Sequence, residues 1–439
     1  MIRTYPGVQD ETPSNLNTLH VDGTEVFCHT ARVSARPENQ PWPGHQRPLD
    51  QTEPAAFAQW DQAGPATVVV DSQRPVERAT VRPLRHGITP VIEGRGVSFD
   101  IPGPGYYVVE VNDEHNALHL FVNAYDRPEA SGVTHRFEPG RHEAGLIELH
   151  SGDHVHLEAG AVVHGVINAR NAENIRVTGA GVLDASEVKR FQYPNMLYFE
   201  RCKNVSVEGI VLRDPHVWAA KVLQCDQVSF ADVKLIGCWR YNSDGLDFVD
   251  SREVRVNNCF VRSFDDSIVV KSLEPGSHRV GDVVVRGCTI WTDWGVSLGV
   301  TYETRADLID GVAFEDCDIL HSIRGRGILG VNPNDRGTVQ NVRFENIRVE
   351  DPRSRLIDLI VEESMWATDP ERGQIKNVHF RNIVVYGEIN HRSRIQGYDE
   401  NHRISGVRVH GLTIGGKRAN DLDSAMVDVG PYADDVSVG

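Results

Sequence analysis

The stretch Asp282-Val283-Val284-Val285-Arg286-Gly287-Cys288-Thr289-Ile290 decides the fold, because its pattern recurs along the second half of the chain. Each copy has apolar side chains at alternate positions, then a small turn residue, then a second short apolar run. Such alternation predicts a half-buried β-strand. The nine copies begin at Asn174, Asn204, Gln227, Glu253, Asp282, Gly311, Asn341, Asn377 and Gly406.

The spacing of the copies indicates stacked coils. Successive copies lie between 23 and 36 residues apart, and repeats of this length with several short strands and no helical period are typical of β-solenoids. A leucine-rich repeat would show a fixed Leu-x-x-Leu-x-Leu frame and a steadier spacing. We therefore expect an all-β fold, a parallel β-helix. Five cysteines in or beside the repeats are expected to be small inward core residues: Cys225, Cys238, Cys259, Cys288 and Cys317.

The first part of the chain lacks this repeat. Between about residues 17 and 127 it has β-rich runs such as Ala66–Val70, Gly105–Val111 and Leu118–Val122, separated by Pro, Gly and Asp turns. This pattern favours a small β-sandwich. We expect a sandwich-like domain over residues 1–135 and a β-helix domain over residues 136–439, with the sandwich covering an apolar end of the coil stack.

Charge and composition limit the partners. A formal charge of −17 and a pI near 5.5 argue against nucleic acid and against an anionic membrane surface. No apolar run approaches the length of a membrane span, and the N-terminus lacks the apolar core of a secretory signal. We expect a cytoplasmic protein, or a secreted one from which the signal was removed. The sequence leaves the oligomeric state open.

No cofactor or metal is expected. The seven cysteines form no CxxC pair, no His/Cys/Asp spacing indicates a transition-metal site, and no phosphate-binding or dinucleotide loop is present.

Two acidic segments lie about one repeat apart, Asn242-Ser243-Asp244-Gly245-Leu246-Asp247 and Phe264-Asp265-Asp266-Ser267. On neighbouring coils, roughly 4.8 Å apart, their carboxylates should project side by side. Clustered carboxylates cannot all ionise freely, so one can donate a proton while another activates water. Such a pair of roles is what glycosidic bond cleavage requires.

A column of strands places these acids on one face. We expect strands beginning at Leu246, Ile268, Val296, Ile328 and Ile357. The side chains two residues earlier then form a ladder of Asp244, Asp266, Trp294, Arg326 and Arg355. Acids for the chemistry, an aromatic ring for stacking and a cation for orientation make a plausible sugar site.

Several neighbours are candidate sugar-binding residues. Asn242 and Asp247 flank Asp244, and Lys271 follows the aspartate pair on the same strand. The other candidates are His216, Trp239, Tyr241 and Glu303, in addition to the ladder residues Trp294 and Arg326.

The acidic segments resemble the polygalacturonase family, glycoside hydrolase family 28. That family has an Asn-Thr-Asp-Gly-Ile/Phe-Asp segment and, one coil later, an Asp-Asp pair in a frame ending Ala-Ile-Lys-Ser-Gly. Here Asn242–Asp247 matches the first and Asp265–Ser272 the second, while Asp214–Trp218 resembles a Ser-Pro-x-Trp element upstream. The resemblance spans roughly residues 150–420. It implies a right-handed parallel β-helix and hydrolysis with inversion, in which Asp265 is the general acid and Asp244 and Asp266 hold the attacking water.

Two other motifs of the family differ in this chain. Trp294 stands where the family has the histidine of Gly-His-Gly, and Leu329-Gly330-Val331 stands near its Arg-Ile-Lys, which grips a galacturonate carboxylate. Arg324 and Arg326 lie just before. The layout is also similar to the dextranase and isopullulanase group, family 49, which joins an N-terminal sandwich to the same β-helix and cleaves neutral α-glucans. We therefore expect a neutral or atypical poly- or oligosaccharide substrate, with polygalacturonide second.

Two other functions stay open at this point. The first is a calcium-dependent polysaccharide lyase, in which the aspartates bind Ca²⁺ and a basic residue such as Lys271 abstracts a proton. The second is a solenoid that binds carbohydrate without cleaving it.

Overall fold

The structure, a computed structural model, describes residues 1–8, 11–35, 48–276, 280–323 and 327–439 of the 439-residue chain. Its first part is a pair of facing β-sheets. The six-stranded sheet contains Ile2–Thr4, Cys28–Ser34, Thr52–Gln62, Ala79–Arg82, Gly105–Val111 and Leu118–Ala124. The five-stranded sheet contains Asn17–Val21, Thr24–Val26, Ala66–Ser72, Val91–Glu93 and Gly96–Ile101. Short 3-10 turns lie at Leu49–Gln51 and Leu84–His86.

The rest of the described chain is a right-handed parallel β-helix with three faces, as the repeat predicts. We call the first face the outer sheet. It contains twelve parallel strands, which are His135–Phe137, His154–Leu157, Glu173–Gly179, Lys203–Glu208, Asp226–Ala231, Arg252–Asn257, Val280–Arg286, Leu308–Glu315, Thr338–Glu345, Gln374–Arg381, Ile404–His410 and Ala433–Val438.

The second face, which we call the sandwich-facing sheet, contains Val182–Asp184, Val211–Arg213, Lys234–Ile236, Phe260–Ser263, Thr289–Thr292, Asp318–Ser322, Arg348–Pro352, Val384–Val385 and Thr413–Ile414, with Lys417–Arg418 folding back on the last strand. The third face, the cleft sheet, contains Gly140–Leu149, Ala161–Arg170, Leu197–Glu200, Ala220–Leu223, Leu246–Val249, Ile268–Ser272, Leu298–Thr304, Leu329–Pro333, Ile357–Ile360, Ser393–Gln396 and Val427–Val429. The long strand Ala161–Arg170 pairs with both of these faces at the first complete coil.

The first residue of every repeat copy has a special backbone conformation. All nine, from Asn174 to Gly406, have φ between 51° and 74°. At each such residue the ladder of the outer sheet skips one position, for example between the pairs Glu173–Lys203 and Ile175–Val205. Asn, Asp and Gly tolerate this left-handed region best, so their enrichment at the position has a backbone cause. The repeat therefore marks the same bend in every coil.

The interior of the solenoid is one continuous apolar core. Alternate side chains of the three faces point inward and stack in columns, such as Phe314, Phe344 and Phe380, whose successive ring centroids are 5.0 Å apart. Cys225, Cys238, Cys259, Cys288 and Cys317 are all buried and free, which confirms the expectation that they are core residues. The described residues contain no helix with the length and apolar character of a membrane span.

The six-stranded sheet of the sandwich packs on the sandwich-facing sheet. Phe57 and Phe121 from one side meet Phe260, Trp291 and Leu320 from the other in a separate buried cluster. The domain boundary at residues 135 and 136 stays a prediction. The first strand of the parallel coils is His135–Phe137, with no spacer strand before it. The expectation that the sandwich covers an end of the coil stack is wrong, since it packs on a side of the stack, over the coils from Val182 to Leu320.

Candidate active site

The acidic segments lie in the turns that lead from the sandwich-facing sheet to the cleft sheet. Asp244 is in turn 237–245, and Asp265 and Asp266 are in turn 264–267, which belongs to the next coil. The two following strands pair in register, with Leu246 opposite Ile268. The backbone N–H groups of Gly245 and Leu246 donate to the carbonyls of Asp266 and Ser267 at 2.7 and 2.8 Å. The three aspartates therefore stand on adjacent coils at one edge.

Lys271 holds the centre of this acidic group. Its Nζ lies 3.5 Å from Asp244 Oδ2, 3.5 Å from Asp247 Oδ1, 3.2 Å from Asp266 Oδ2 and 3.4 Å from Glu303 Oε2. Successive side chains of a strand point to opposite faces. Because Val270 points into the core, Lys271 points outward, toward the acids. One buried ammonium thus serves four carboxylates, and we call Asp244, Asp247, Asp265, Asp266, Glu303 and Lys271 the carboxylate cluster.

Asp266 has the fullest set of hydrogen bonds in the cluster. Its Oδ1 accepts from the backbone N–H of Val296 at 2.8 Å, and its Oδ2 accepts from Thr301 Oγ1 at 3.1 Å and faces Lys271. Both donors come from the next coil. Gly295 allows this approach, because a Cβ there would lie 2.3 Å from Asp266 N and 2.4 Å from Asp265 C. The position of the Asp265–Asp266 pair is therefore fixed by the coil that follows it.

Asp265 differs from Asp266 in its surroundings. Its side chain is half-buried rather than buried, and Asn242 Nδ2 lies 3.5 Å from its Oδ2. Its backbone N–H donates to Ser243 O at 3.3 Å, and Ser263 Oγ donates to its carbonyl at 2.6 Å. Two hydrogen bonds thus hold the backbone of Asp265, while its half-buried side chain keeps access to solvent.

The cluster shifts the protonation of its members. Burial and repulsion from Asp266 raise the pKa of Asp265 to about 7. Burial raises the pKa of Asp247 to about 8, against the lowering effect of Lys271. Burial and repulsion from Asp247 and Asp265 raise the pKa of Asp244 well above its usual value. Although burial opposes its charge, the surrounding acids raise the pKa of Lys271, so the ammonium stays charged.

Glu303 reaches the cluster through an irregular strand. The pairing of Ile268–Ser272 with Leu298–Thr304 runs in step to Val270 and Val300 and resumes at Ser272 and Thr304, leaving two extra residues on the later strand. Tyr302 in this bulge has a φ of 47°. A bulge re-aims the side chains beside it, and here it brings Glu303 and Thr301 toward Lys271 and Asp266. Glu303 therefore stands in the cluster, at the centre of the predicted site.

The predicted ladder is out of register at its third and fourth strands, whereas Ile357 pairs with Leu329 and so keeps Arg355 level with Asp244 and Asp266. Ile268 pairs with Leu298 rather than Val296, and Leu298 pairs with Leu329 rather than Ile328. Val296, not Trp294, is thus level with Asp266, because the turn before this strand is longer than the one in the preceding coil. Trp294 is half-buried and stacks on Phe264, with ring centroids 6.3 Å apart. Arg326 lies outside the described residues.

Three other sugar-binding candidates lie deeper than expected. His216 has no exposed surface and its Nε2 is 3.0 Å from Tyr193 O, so it packs inside a corner and cannot touch a ligand in this conformation. Trp239 is 6% exposed and donates from Nε1 to Asp214 Oδ1 at 2.9 Å. Tyr241 is 3% exposed. Asn242 is half-buried and faces Asp265, as a site residue should.

Two other residues near the cluster, Arg190 and Thr301, have no motif that would reveal them in the sequence, whereas Trp218 belongs to the element that resembles Ser-Pro-x-Trp. Arg190 donates from Nη2 to Asn242 Oδ1 at 3.0 Å and from Nη1 to Tyr241 O, from a turn two coils upstream. The ring of Trp218 lies under two ammonium groups, 4.7 Å from Lys271 Nζ and 5.3 Å from Lys221 Nζ. Thr301 contacts Asp266 only because of the bulge.

Curated relatives share part of the chain. It is 26% identical over 202 residues to the probable endo-xylogalacturonan hydrolase A of Neosartorya fischeri, covering 42% of this chain and 48% of that protein. It is 23% identical over 232 residues to the putative galacturan 1,4-alpha-galacturonidase A of Aspergillus niger, covering 45% and 52%. The chain thus spans about half the length of these relatives.

Solved structures match over more of the chain. Dex49A from Penicillium minioluteum superimposes with a TM-score of 0.74 at 14% identity, covering 100% of this chain and 96% of that one. An exopolygalacturonase from Thermotoga maritima gives a TM-score of 0.52 at 15% identity, covering 69% and 83%. Both likenesses concern the fold, and the first includes the sandwich as well as the solenoid.

A family model covers more than half of the chain. The model of glycosyl hydrolases family 28 matches residues 159–427, which include every member of the carboxylate cluster. Both expected resemblances are thereby confirmed, the first by this match and the second by the fold of Dex49A. The chain belongs to glycosyl hydrolases family 28.

Proposed function

We propose that the protein is an inverting glycosidase that cleaves a poly- or oligosaccharide at the carboxylate cluster. The proposal rests on one observation: of three aspartates on adjacent coils, only two contact the same ammonium in the described chain. Lys271 contacts Asp244 and Asp266 within 3.5 Å. Asp265, which has no such ion pair within the described chain, faces the cleft with a pKa raised to about 7 by burial and by Asp266.

These environments suggest a division of roles. Asp265 is protonated below about pH 7 and donates its proton to the glycosidic oxygen. A water attacks the anomeric carbon from the opposite face, and Asp266 accepts the proton that this water loses. Asp244, whose pKa is raised well above its usual value by burial and by its acidic neighbours, orients the water. The sugar product has the inverted configuration.

The charge of the cluster favours a neutral sugar. Four carboxylates surround one ion-paired lysine, and the nearby Lys221 stands over Trp218 without an ion pair in the described residues. Because Lys271 is already ion-paired, it offers no free cation to a carboxylate-bearing sugar ring. We therefore keep the neutral or atypical saccharide as the substrate class. A galacturonide is the second candidate, favoured by the names of the relatives, a xylogalacturonan hydrolase and a galacturonidase.

The lyase alternative fits the cluster poorly. A lyase base must be neutral to take a proton, whereas the acids around Lys271 raise its pKa well above the usual value. The same ammonium occupies the position between the carboxylates that a calcium ion would need. A lyase remains testable, because it would release unsaturated products that absorb in the ultraviolet.

The substitution Asp265→Asn tests the proposal. We expect the wild type to release reducing ends from at least one member of a panel of α-glucans, pectins and plant oligosaccharides. The variant should lose about 10²- to 10⁴-fold in kcat, since it cannot donate a proton. Wild-type activity should fall as pH rises through about 7, where Asp265 ionises.

The controls separate the alternatives. Asn of the same shape keeps the fold, so an unchanged melting temperature with lost turnover assigns the defect to chemistry. The anomeric configuration of the first product, read by NMR, tests inversion. A wild type that binds glycans but cleaves none, or an Asp265→Asn variant as active as the wild type, would refute a glycosidase acting through Asp265. Ultraviolet-absorbing products lost on chelation would indicate the lyase.

A further inference from the structure

A long turn borders the cleft two coils upstream of Asp244. It covers residues 185–196, between the strands Val182–Asp184 and Leu197–Glu200, and is the longest turn between the sandwich-facing and cleft sheets in the described chain. It occupies the same corner as the turns that carry the catalytic aspartates. Any chain of sugars that runs along this edge of the solenoid would therefore pass it.

This turn is held firmly by the coils below it. Arg240 donates from Nη2 to Ser186 O at 2.9 Å, and His216 lies 3.0 Å from Tyr193 O. Asn195 Nδ2 donates to Trp218 O at 3.3 Å. A turn with three such anchors presents its tip in a defined position rather than as a loose loop.

The tip carries an aromatic ring in an uncommon setting. Phe191 is 65% exposed, and its backbone has a φ of 62°, a region that costs free energy for a residue with a bulky side chain. Because most of the ring is exposed, its burial in the folded chain offsets little of this cost. The backbone strain and the exposure together point to a role outside the fold.

Arg190 joins this ring to the catalytic acids. Its guanidinium lies 4.6 Å from the centre of the Phe191 ring and 5.4 Å from that of Tyr241. The same group donates to Asn242 Oδ1, and Asn242 in turn faces Asp265. Phe191 is therefore linked to the proposed general acid through two side chains, those of Arg190 and Asn242.

We propose that Phe191 is a stacking platform for a sugar ring of the substrate, at a subsite beside turn 185–196 and apart from the bond that is cleaved. The apolar face of a pyranose fits an exposed aromatic ring, and such contacts bind without requiring charge on the ligand. The inference rests on the proposed function only in naming a saccharide as the ligand. It adds that the cleft binds a chain of sugars across at least one ring beyond the catalytic turns.

The test measures polysaccharide binding separately from cleavage. Wild type, Phe191→Ala, Phe191→Trp and the control Tyr398→Ala are run in native gels containing each polysaccharide of the α-glucan and pectin panel. Tyr398 is 43% exposed and lies at the far end of the solenoid, outside the site. Loss of the platform should weaken retardation about five- to tenfold, while Phe191→Trp and Tyr398→Ala stay within twofold of the wild type.

The outcomes are distinguishable from those for the proposed function. A Phe191→Ala variant bound as tightly as the wild type, or a wild type retarded by no polysaccharide, overturns the platform. If Asp265→Asn cleaves as fast as the wild type while Phe191→Ala still weakens binding, the catalytic proposal fails and the platform stands. Kinetics add a second reading, since Phe191→Ala should raise KM for long substrates and leave kcat within twofold.

Discussion

The ammonium of Lys271 determines how much negative charge the cleft tolerates. It lies 3.2 to 3.5 Å from four carboxylates, none of which is more than 16% exposed at its side chain. Buried like charges repel strongly when uncompensated. Asp244 Oδ1 and both Asp247 oxygens also lack a hydrogen-bond partner within the described chain, so the lysine is the main source of compensation for them.

We expect Lys271→Met to destabilise the protein most at alkaline pH. The raised pKa of Asp247, about 8, means that its stabilising contribution is complete below about pH 4 and is lost as pH rises through 8. Lys271→Met should lower the free energy of unfolding by about a further 3–5 kcal/mol, because it leaves a buried carboxylate unpaired. Denaturant midpoints at pH 5 and pH 8 measure the difference.

Lys221→Met is the matched control for this experiment. Lys221 also stands over Trp218, at 5.3 Å, but forms no ion pair with the cluster in the described residues. Its midpoint should therefore shift little between the two pH values. Equal shifts in the two variants would show that Lys271 is not the counter-charge of the cluster.

Single residues also show what a sequence can predict about this site. Asp244, Asp265 and Asp266 were found from their motifs, and the structure brings them together because repeats in register align like positions. The sequence predicts Glu303 as a sugar-binding residue. In the structure, a bulge around Tyr302 points its side chain into the cluster. Local irregularities of this kind follow from tertiary packing, and the sequence pattern does not record them.

At the level of structural elements, the corner turns carry Asp244, Asp265 and Asp266. The lengths of these turns are what the sequence predicts least well. The repeat predicts nine strands of the outer sheet, because an αL residue recurs at the first position of each of its nine copies. It does not predict where the cleft strand after turn 293–297 begins, so Trp294 was placed two residues out of register. His216, likewise in a corner turn, proves to be inside it.

Gly295→Ala tests how the turns hold the catalytic pair. The added Cβ would lie 2.3 Å from Asp266 N and 2.4 Å from Asp265 C, and neither backbone atom can move aside without displacing its carboxylate. We expect kcat to fall about tenfold or more, since small misplacements of catalytic groups are costly. Steady-state kinetics and the melting temperature of the variant give the two readings.

A matched glycine separates catalysis from folding. Gly387 is also in a corner turn, but a Cβ there would lie 3.6 Å from the nearest atom, an ordinary contact. Gly387→Ala should therefore keep wild-type activity and stability. If Gly295→Ala has the activity of Gly387→Ala, the close packing around Asp266 does not position the acids.

The whole molecule is two β-structures joined over a broad face. Beside the apolar cluster of Phe121, Phe260 and Trp291 lies a buried charged contact. Arg82 donates to Glu110 at 2.9 Å and to Glu350 at 2.7 Å, and His321 faces Glu110 at 2.5 Å. The sandwich therefore supplies Arg82 and Glu110, and the solenoid supplies Glu350 and His321.

We expect Glu110→Gln to weaken this junction at neutral pH and to matter less in acid. Burial alone would raise the pKa of Glu110, but His321 and Arg82 lower it to about 2. A depressed pKa contributes stability above about pH 4.5 that is lost as pH falls toward 2. The variant should lose about 3 kcal/mol at pH 6, and its melting temperature should approach that of the wild type near pH 2.

The control for this prediction joins the same two parts at the surface. Glu114 lies 3.0 Å from Arg353, and both side chains are partly exposed. Glu114→Gln should change the melting temperature little at any pH, because exposed ion pairs contribute about 0–1 kcal/mol. A pH-independent loss in Glu110→Gln would argue that the junction is held by packing and not by this charge.

The αL residue that begins each of the nine repeat copies also bears on which parts of such a sequence can vary in evolution. Because pairing between neighbouring strands sets the rise per coil, the scaffold constrains only a handful of positions per repeat, and coils between 23 and 36 residues long stack in one solenoid. Lengthening or shortening a corner turn therefore leaves the neighbouring coils in place. Turns such as 185–196 could therefore be exchanged to alter which ligand is bound, while the carboxylate cluster on the following coils stays unchanged.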